Sequence, residues 1–380
     1  MSTAQSSTIN PLKLPHRLGR AVLLLLGMSS LVMGIWGGLL RVPVILPLPV
    51  SHGNWITFHG PLMVCGFVGT VIGLERAAGL RSLWTYLVPL LTGVSAAAIA
   101  AGVPGSWPRW TLCIGSALFV AVSVRILFLQ VALSNVVMAL GAVTWVGGNL
   151  LWACGNLIPQ IVLWWLTFLL LTVAGERIQL TRYQKPSQWA RPWLLTALVV
   201  LTGGLATGWM APRTGGILTG VALFAFATWL ARFDLARRTI RQPGLPRFVA
   251  VCLLSGYVWL LVTSLLVGAK WPQTGGLIYD AALHSFFVGF VFSMIFGHAP
   301  LIFPAVLGLP VHFRWTSWVP VFVLHASLLM RLTGDLTGLT SGRVWGASGN
   351  AIAVGLFLLN MVAGFVFPPE GKRAGSPAHQ

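Results

Sequence analysis

Long apolar runs constrain this chain more than any other feature of its sequence. The chain contains twelve runs that are nearly free of charge. Each is about 20 residues long, which is the length that an α-helix needs to cross a bilayer. An open strand could not satisfy its backbone in lipid, so helices are the only suitable element. The predicted spans are residues 21–40, 55–76, 83–103, 109–131, 133–155, 159–178, 190–211, 214–233, 247–269, 277–298, 316–333 and 346–367. The sequence therefore predicts an all-α polytopic membrane protein with about 12 transmembrane helices.

The composition agrees with this fold class. Only 8% of the residues are charged and 56% are hydrophobic, whereas a soluble domain carries about a quarter charged residues. The net charge of +18 does not indicate nucleic-acid binding, because the basic residues lie at helix ends rather than on one soluble face. We expect the lipid bilayer as a partner and no nucleic acid.

The distribution of basic residues predicts the orientation of the helices. With the N-terminus in the cytoplasm, three quarters of the 24 lysine and arginine residues lie on the inner side, as the positive-inside rule requires. We therefore predict cytoplasmic tails at residues 1–20 and 368–380 and a single membrane domain at residues 21–367. The expected location is the cytoplasmic (inner) membrane of a bacterium, crossed many times.

Two histidines inside these spans point to a cofactor. His59 in the second span and His284 in the tenth lie at nearly the same depth, roughly 6–10 Å from the outer ends of their helices. Neutral imidazole is a good iron ligand, and a haem takes one axial ligand on each face. Asp280, one turn before His284, could accept the ring N–H of that histidine and orient it. We predict a haem, expected to be haem b, between His59 and His284; the alternative for each histidine is an interhelical hydrogen bond.

Two further histidines are candidate metal ligands, so the candidate set is His59, His284, His298 and His325. His298 follows His284 by 14 residues, a spacing that would suit two stacked haems on one helix pair. The position 14 residues after His59 is Gly73, so a second haem stacked on the first is not indicated. His298 could instead pair with His312 or His325 at an inner metal or haem site, or make a hydrogen bond at the helix end.

Two segments carry a resemblance to a known family. "HGPLMVCGFVGTVIG" in the second span and "LHSFFVGFVFSMIFGHAP" in the tenth resemble the NnrS-type haem–copper membrane proteins. That family is distantly similar to subunit I of the haem–copper oxidases and nitric oxide reductases. The resemblance implies an oxidase-subunit-I-like bundle, bound haem with copper as a further possibility, and an electron-transfer or nitric-oxide-linked role. An electron-donor protein and a small gaseous ligand such as nitric oxide would then be partners.

The sequence departs from the oxidases where they bind copper. The sixth and seventh spans contain no histidine, and residue 286 is phenylalanine where a His-x-His pair would be required. We therefore expect a redox protein linked to nitric oxide rather than a proton-pumping oxygen reductase.

Two other functional classes stay open. Twelve spans with both ends inside also describe a secondary transporter without haem. The segment "GLERAAGLR" lies in the loop where the major facilitator class carries its signature, but Val71 and Ala78 occupy positions that should be glycine. The remaining class is a structural or assembly protein without a cofactor.

Overall fold

A computed structural model describes residues 14–44, 46–47, 52–181, 187–307 and 312–366. These ranges contain helices and connecting turns and no strand, and twelve of the helices are long and apolar enough to cross a membrane. They are α1 (Leu14–Leu39), α2 (His59–Leu80), α3 (Leu83–Ala100), α4 (Trp107–Leu129), α5 (Leu133–Ala153), α6 (Ile158–Thr181), α7 (Ala190–Met210), α8 (Pro212–Phe233), α9 (Leu245–Lys270), α10 (Leu277–Leu307), α11 (Trp315–Thr337) and α12 (Thr340–Val366). The prediction of an all-α, multi-pass membrane protein with twelve spans is confirmed.

The helix ends lie close to the predicted boundaries, with differences at both ends of the chain. Helix α1 already begins at Leu14, inside the predicted tail of residues 1–20. Helix α12 begins at Thr340, before the predicted start at residue 346. The predicted tail at residues 368–380 lies outside the described residues. Short helices at His52–Thr57 and Ala236–Thr239 precede α2 and α9.

Three helices form the centre of the bundle. In the most apolar stretch of α6, 72% of the residues are buried within the protein, and the value for α2 and α10 is 61%, against 28% for α1. The rings of Trp145 on α5 and Phe168 on α6 stack at 4.6 Å and are fully buried. Most side chains in these stretches of α2 and α10 are therefore enclosed by protein rather than by lipid.

Small residues let neighbouring helices approach closely. A Cβ atom on Gly220 of α8 would lie 2.4 Å from the Cα of Gly268 on α9, a separation that no larger residue could accept. Because lipid tails are as apolar as leucine, helix association in a membrane depends on such van der Waals contact.

The two central helices that carry the predicted haem ligands share an unusual backbone. In α2 a π-helical segment, Leu62–Gly69, follows the first turn. In α10 a π-helical segment of the same length, Ser285–Phe292, begins directly after His284. The π-helix is rare and is frequently found at functional sites. Its presence after both histidines therefore indicates a functional site in this part of the bundle.

Candidate functional site

The structure brings His59 and His284 together. The short helix before α2 ends at Thr57, and α2 begins at His59 itself. His284 is the last residue of the first segment of α10. The two imidazole rings lie with their centroids 6.4 Å apart and their planes 11° from parallel. Two residues 225 positions apart in sequence therefore form one pair in the interior of the bundle.

Hydrogen bonds fix which nitrogen of each ring carries the proton. Nδ1 of His59 lies 2.6 Å from the carbonyl oxygen of Gly34 on α1, and Nδ1 of His284 lies 2.8 Å from the carbonyl oxygen of Asp280. A carbonyl oxygen only accepts hydrogen bonds, so both Nδ1 atoms are donors. No described residue is hydrogen-bonded to either Nε2. Each neutral ring therefore keeps a free lone pair on Nε2, the form in which histidine binds a metal.

The ring of His59 is in close contact with helix α1. A Cβ atom added to Gly38 would lie 2.7 Å from Cε1 of the His59 ring. Gly34, one turn earlier on the same helix, supplies the carbonyl oxygen that accepts the ring proton. The sequence "GIWGG" of α1 thus allows a close contact between helices and orients the imidazole at the same time.

Asp280 lies between His284 and a buried arginine. Its Oδ2 accepts hydrogen bonds from Nη2 and Nε of Arg331 on α11, at 2.9 and 3.1 Å. Its Oδ1 lies 3.3 Å from Nδ1 of His284, beyond the 2.8 Å of the backbone carbonyl. The expected contact from Asp280 to His284 is therefore made mainly by the carbonyl, while the carboxylate chiefly neutralises Arg331.

A cavity of ≈ 300 Å³ adjoins the two histidines. Most of its wall is apolar, including Met63, Val68, Leu283, Phe287 and Val291. Three arginines line it as well: Arg41, Arg331 and Arg343. Arg41 follows the end of α1, Arg331 lies near the end of α11, and Arg343 lies near the start of α12. These three helix ends lie on one side of the bundle. The cavity is thus apolar with a cationic end.

The three arginines differ in their partners. Arg331 pairs with Asp280, and Nε of Arg343 lies 2.8 Å from Oδ1 of Asp335. Among the described residues, no carboxylate pairs with Arg41. One guanidinium at the cationic end therefore has no acidic partner in the described part of the chain.

His298 has its Nε2 occupied. Its Nδ1 donates to the carbonyl oxygen of Met294 at 2.6 Å, and its Nε2 lies 2.5 Å from Nη2 of Arg177 on α6. The guanidinium only donates, so the lone pair of this imidazole is used. Nε of Arg177 also lies 3.9 Å from Oδ2 of Asp234, which accepts a hydrogen bond from the Tyr257 hydroxyl at 2.9 Å. His298 therefore belongs to a buried polar network.

His325 is bonded to a tryptophan. The indole N–H of Trp259 on α9 donates to its Nδ1 at 3.0 Å. The remaining Nε2 of the neutral ring then carries the proton, so neither nitrogen offers a free lone pair.

The four predicted metal ligands do not form one cluster. No group of three or more His, Cys, Asp or Glu side chains in the described residues lies close enough to hold a metal ion. His298 and His325 are bonded to different residues, and the described contact of His312 is from its backbone N–H to the carbonyl oxygen of Gly364. The described contacts therefore do not join these histidines at an inner site, which was one of the two alternatives for His298.

Several residues of this region were missed by reasoning from sequence. Arg331 is not among the predicted site residues, although an arginine inside an apolar run is a signal for a buried role. Gly34 and Gly38 carry no such signal, because glycine is frequent throughout membrane helices. The salt bridge between Arg76 and Glu176, 2.8 Å long, joins α2 to α6, and neither local sequence specifies it because the two residues lie 100 positions apart.

The comparisons with known proteins assign a family without a function. The family model described as "Domain of unknown function (DUF8744)" matches residues 20–366, so the chain belongs to this family. No curated protein matches the chain. The matched range covers all twelve spanning helices apart from the first turns of α1.

Proposed function

We propose that this member of the DUF8744 family is a haem protein of the bacterial cytoplasmic membrane. His59 and His284 would bind the haem iron, and the role would be redox chemistry or the response to nitric oxide. We further propose an oxidase-subunit-I-like bundle with both termini in the cytoplasm. The positive-inside distribution supports that orientation.

The observation that carries the proposal is the distance between the two rings. A metal–imidazole distance of about 2 Å on each side, plus about 1 Å from each nitrogen to its ring centre, gives a separation of roughly 6 Å. The ring centroids of His59 and His284 lie 6.4 Å apart. This separation is too long for a direct hydrogen bond between the rings and suits one metal ion between them.

The hydrogen bonds of the two rings support the same reading. Each Nδ1 donates to a backbone carbonyl, from Gly34 or Asp280, which fixes the ring and raises the basicity of the other nitrogen. Both Nε2 atoms keep their lone pairs. Interhelical hydrogen bonding alone would use one nitrogen of each ring and would not require the second nitrogens to be free on the same cavity.

The character of the cavity also fits a haem. A haem b is a flat apolar ring with two carboxylates at one edge, and this cavity is apolar with three arginines at one end. Arg41, which has no described acidic partner, is the residue best placed to pair with a carboxylate. Arg331 and Arg343 are already paired with Asp280 and Asp335, so Arg41 supplies the net positive charge.

A haem bound by two imidazoles would supply one-electron chemistry. The protein would contribute two histidine ligands, the orientation of each ring, and a cavity lined by residues of α1, α2, α6, α10, α11 and α12. With both His59 and His284 bound to the iron, the haem would support electron transfer rather than the binding of a gas. A nitric-oxide-linked role would require His59 or His284 to move away. The described residues offer no third ligand beside this pair for copper.

A secondary transporter remains the alternative, and one observation favours it. The same cavity, with its cationic end, would suit a small apolar carboxylate. In that case Arg41 would bind the carboxylate, and the histidines would only connect helices.

Visible absorption distinguishes these functions. The protein purified from haem-replete cells should show a Soret band and an α band in the reduced-minus-oxidised spectrum. His59→Ala and His284→Ala should each lose the bound haem. His325→Ala is the matched control, since its lone pair is already used by Trp259, and it should keep the full haem content. A colourless wild-type protein, or unchanged haem in both site variants, would overturn the proposal.

A further inference from the structure

Two adjoining clefts lie at the most basic end of the bundle, between the start of α7 and the end of α8. The first, here the basic cleft, has a volume of ≈ 850 Å³ and is lined by five arginines: Arg191, Arg232, Arg237, Arg238 and Arg241. The second, here the aromatic cleft, has a volume of ≈ 660 Å³ and is lined by Trp189, Pro192, Trp193, Thr196, Thr228 and Phe233. Ser187, Arg232 and Phe233 line both clefts, so the two are continuous.

Within the described residues, no acidic side chain neutralises the arginines of the basic cleft, because no carboxylate forms an ion pair with any of the five. The described contacts of Arg232 and Arg237 are with the ring of Phe233 and with a backbone carbonyl. Five positive charges around one concave surface create a strong local attraction for an anion.

One carboxylate, that of Asp234, does line the basic cleft, but both of its oxygens already accept hydrogen bonds from other residues. Oδ1 of Asp234 accepts a hydrogen bond from the backbone N–H of Ala236 at 2.6 Å, and Oδ2 accepts one from Tyr257. The buried Arg177 lies 3.9 Å from the same Oδ2. Asp234 therefore belongs to the buried network with Arg177 and Tyr257, and it forms no described ion pair with the five exposed arginines.

The aromatic cleft is rigid and apolar. Phe233 packs edge-to-face against Trp193 with ring centroids 5.8 Å apart, and it also contacts Trp229 at 5.9 Å. The indole N–H of Trp229 donates to the carbonyl oxygen of Ala190 at 2.7 Å, which ties α8 to the start of α7. Thr196 lies more than one turn inside α7, so the cleft continues from the basic cleft towards the hydrocarbon region.

We propose that the two clefts together bind one anionic phospholipid. The phosphate would lie among the arginines, which are the preferred partners of phosphate oxygens, and an acyl chain would lie along Trp193 and Phe233. The continuity of a cationic with an apolar surface at the membrane boundary selects a lipid over a soluble phosphate compound. Basic pockets between helices on the cytoplasmic side are suited to such head groups. This site is independent of the two histidines.

Native mass spectrometry of the delipidated full-length protein tests the proposal. Titration with dioleoylphosphatidylglycerol should show one lipid bound well ahead of the rest, and dioleoylphosphatidylcholine should show none. The double variant Arg238→Gln/Arg241→Gln should weaken the first binding event roughly 25-fold, at about fivefold for each arginine removed. Trp193→Ala should also weaken the first lipid-binding event, because the acyl chain loses its contact with the indole ring.

The matched control is Arg81→Gln/Arg125→Gln. These two arginines are exposed on the same side of the bundle but line neither cleft. The control should bind the lipid as the wild type does. Equal weakening in the control would mean diffuse attraction and would overturn the site. Displacement of the lipid by excess inorganic phosphate, with no effect of Trp193→Ala, would show a soluble phosphate ligand and would overturn the assignment to a lipid.

Discussion

Helix α10 carries one histidine near each end, and the two differ in what occupies their second nitrogen. His284 and His298 share the same local arrangement, in which Nδ1 donates to the carbonyl oxygen four residues earlier. Nε2 of His284 is left free beside His59 and an apolar cavity. Nε2 of His298 accepts a hydrogen bond from Arg177. A histidine on α10 is therefore a candidate ligand near one end of the helix, and another histidine is part of a polar network near the other end.

This difference shows that the role of a histidine inside a membrane depends on the helix facing it. An arginine opposite the ring uses the lone pair, and a second histidine opposite the ring leaves it available. In our proposal, the network around His298 stabilises the bundle, whereas the pair of His59 and His284 binds a cofactor. The predictions below separate these two roles.

The largest expected effect is at the inner end. Arg177→Leu would leave Asp234 buried without its cation, and breaking a buried ion pair in this way costs about 3–5 kcal/mol. The melting temperature of the detergent-solubilised protein should fall strongly. The exposed Arg125→Leu is the control and should change stability by no more than about 0.5 kcal/mol. Equal melting temperatures for the two variants would show that this network does not stabilise the bundle.

The second prediction concerns the outer end, where α1 contacts His59. Gly38→Ala would put a methyl group 2.7 Å from the ring, and the displaced imidazole should weaken haem binding by up to about 100-fold, the upper range for loss of a ligand's support. Haem titration of the apoprotein measures this. Gly27→Ala on the same helix meets its nearest atoms at 3.5 Å and should bind haem normally. A Gly38→Ala protein with wild-type affinity would contradict the geometry.

A smaller effect is expected at Asp280. Asp280→Asn removes a negative charge beside His284 and leaves Arg331 without its anion, which should weaken haem binding about tenfold. The loss of negative charge favours the reduced iron, so the midpoint potential should rise. A redox titration checks the sign. Glu176→Gln, which removes a carboxylate at the inner end, should leave the potential unchanged; a shift of equal size there would point to a general charge effect.

The smallest effect is expected at His325. His325→Phe keeps the ring and removes the acceptor for the Trp259 indole, but it also removes a buried Nε2 that has no described partner. The two changes oppose each other, so stability should stay within about 1 kcal/mol of the wild type. Haem content should not change. Loss of haem in this variant would return His325 to the set of ligands.

Much of the fold could be predicted because each span is encoded locally. Twenty apolar residues form a helix in lipid whatever their neighbours are. The pair of His59 and His284 followed from depth along two helices. What could not be predicted depends on which helices are neighbours. The contact between Arg177 and His298 joins residues 121 positions apart, and nothing in either local sequence specifies it.

The π-helical segments after His59 and His284 were equally inaccessible from the sequence. Their residues have the composition of ordinary apolar helix, so hydropathy gives no sign of the wider turns. The partner of Nδ1 in His59 is a backbone carbonyl on another helix, a group that every residue carries. The chemical types at the site could thus be predicted, but the contacts that orient them could not.

Electron paramagnetic resonance of the oxidised protein at low temperature tests the central claim most directly. Two imidazoles on one ferric iron produce a low-spin signal, and we expect that signal in the wild type and in His298→Ala. It should be absent from His59→Ala and from His284→Ala, either because the haem is lost or because the iron becomes high-spin. A wild-type protein without a low-spin ferric signal, or a signal that survives in His59→Ala, would contradict haem ligation by this pair.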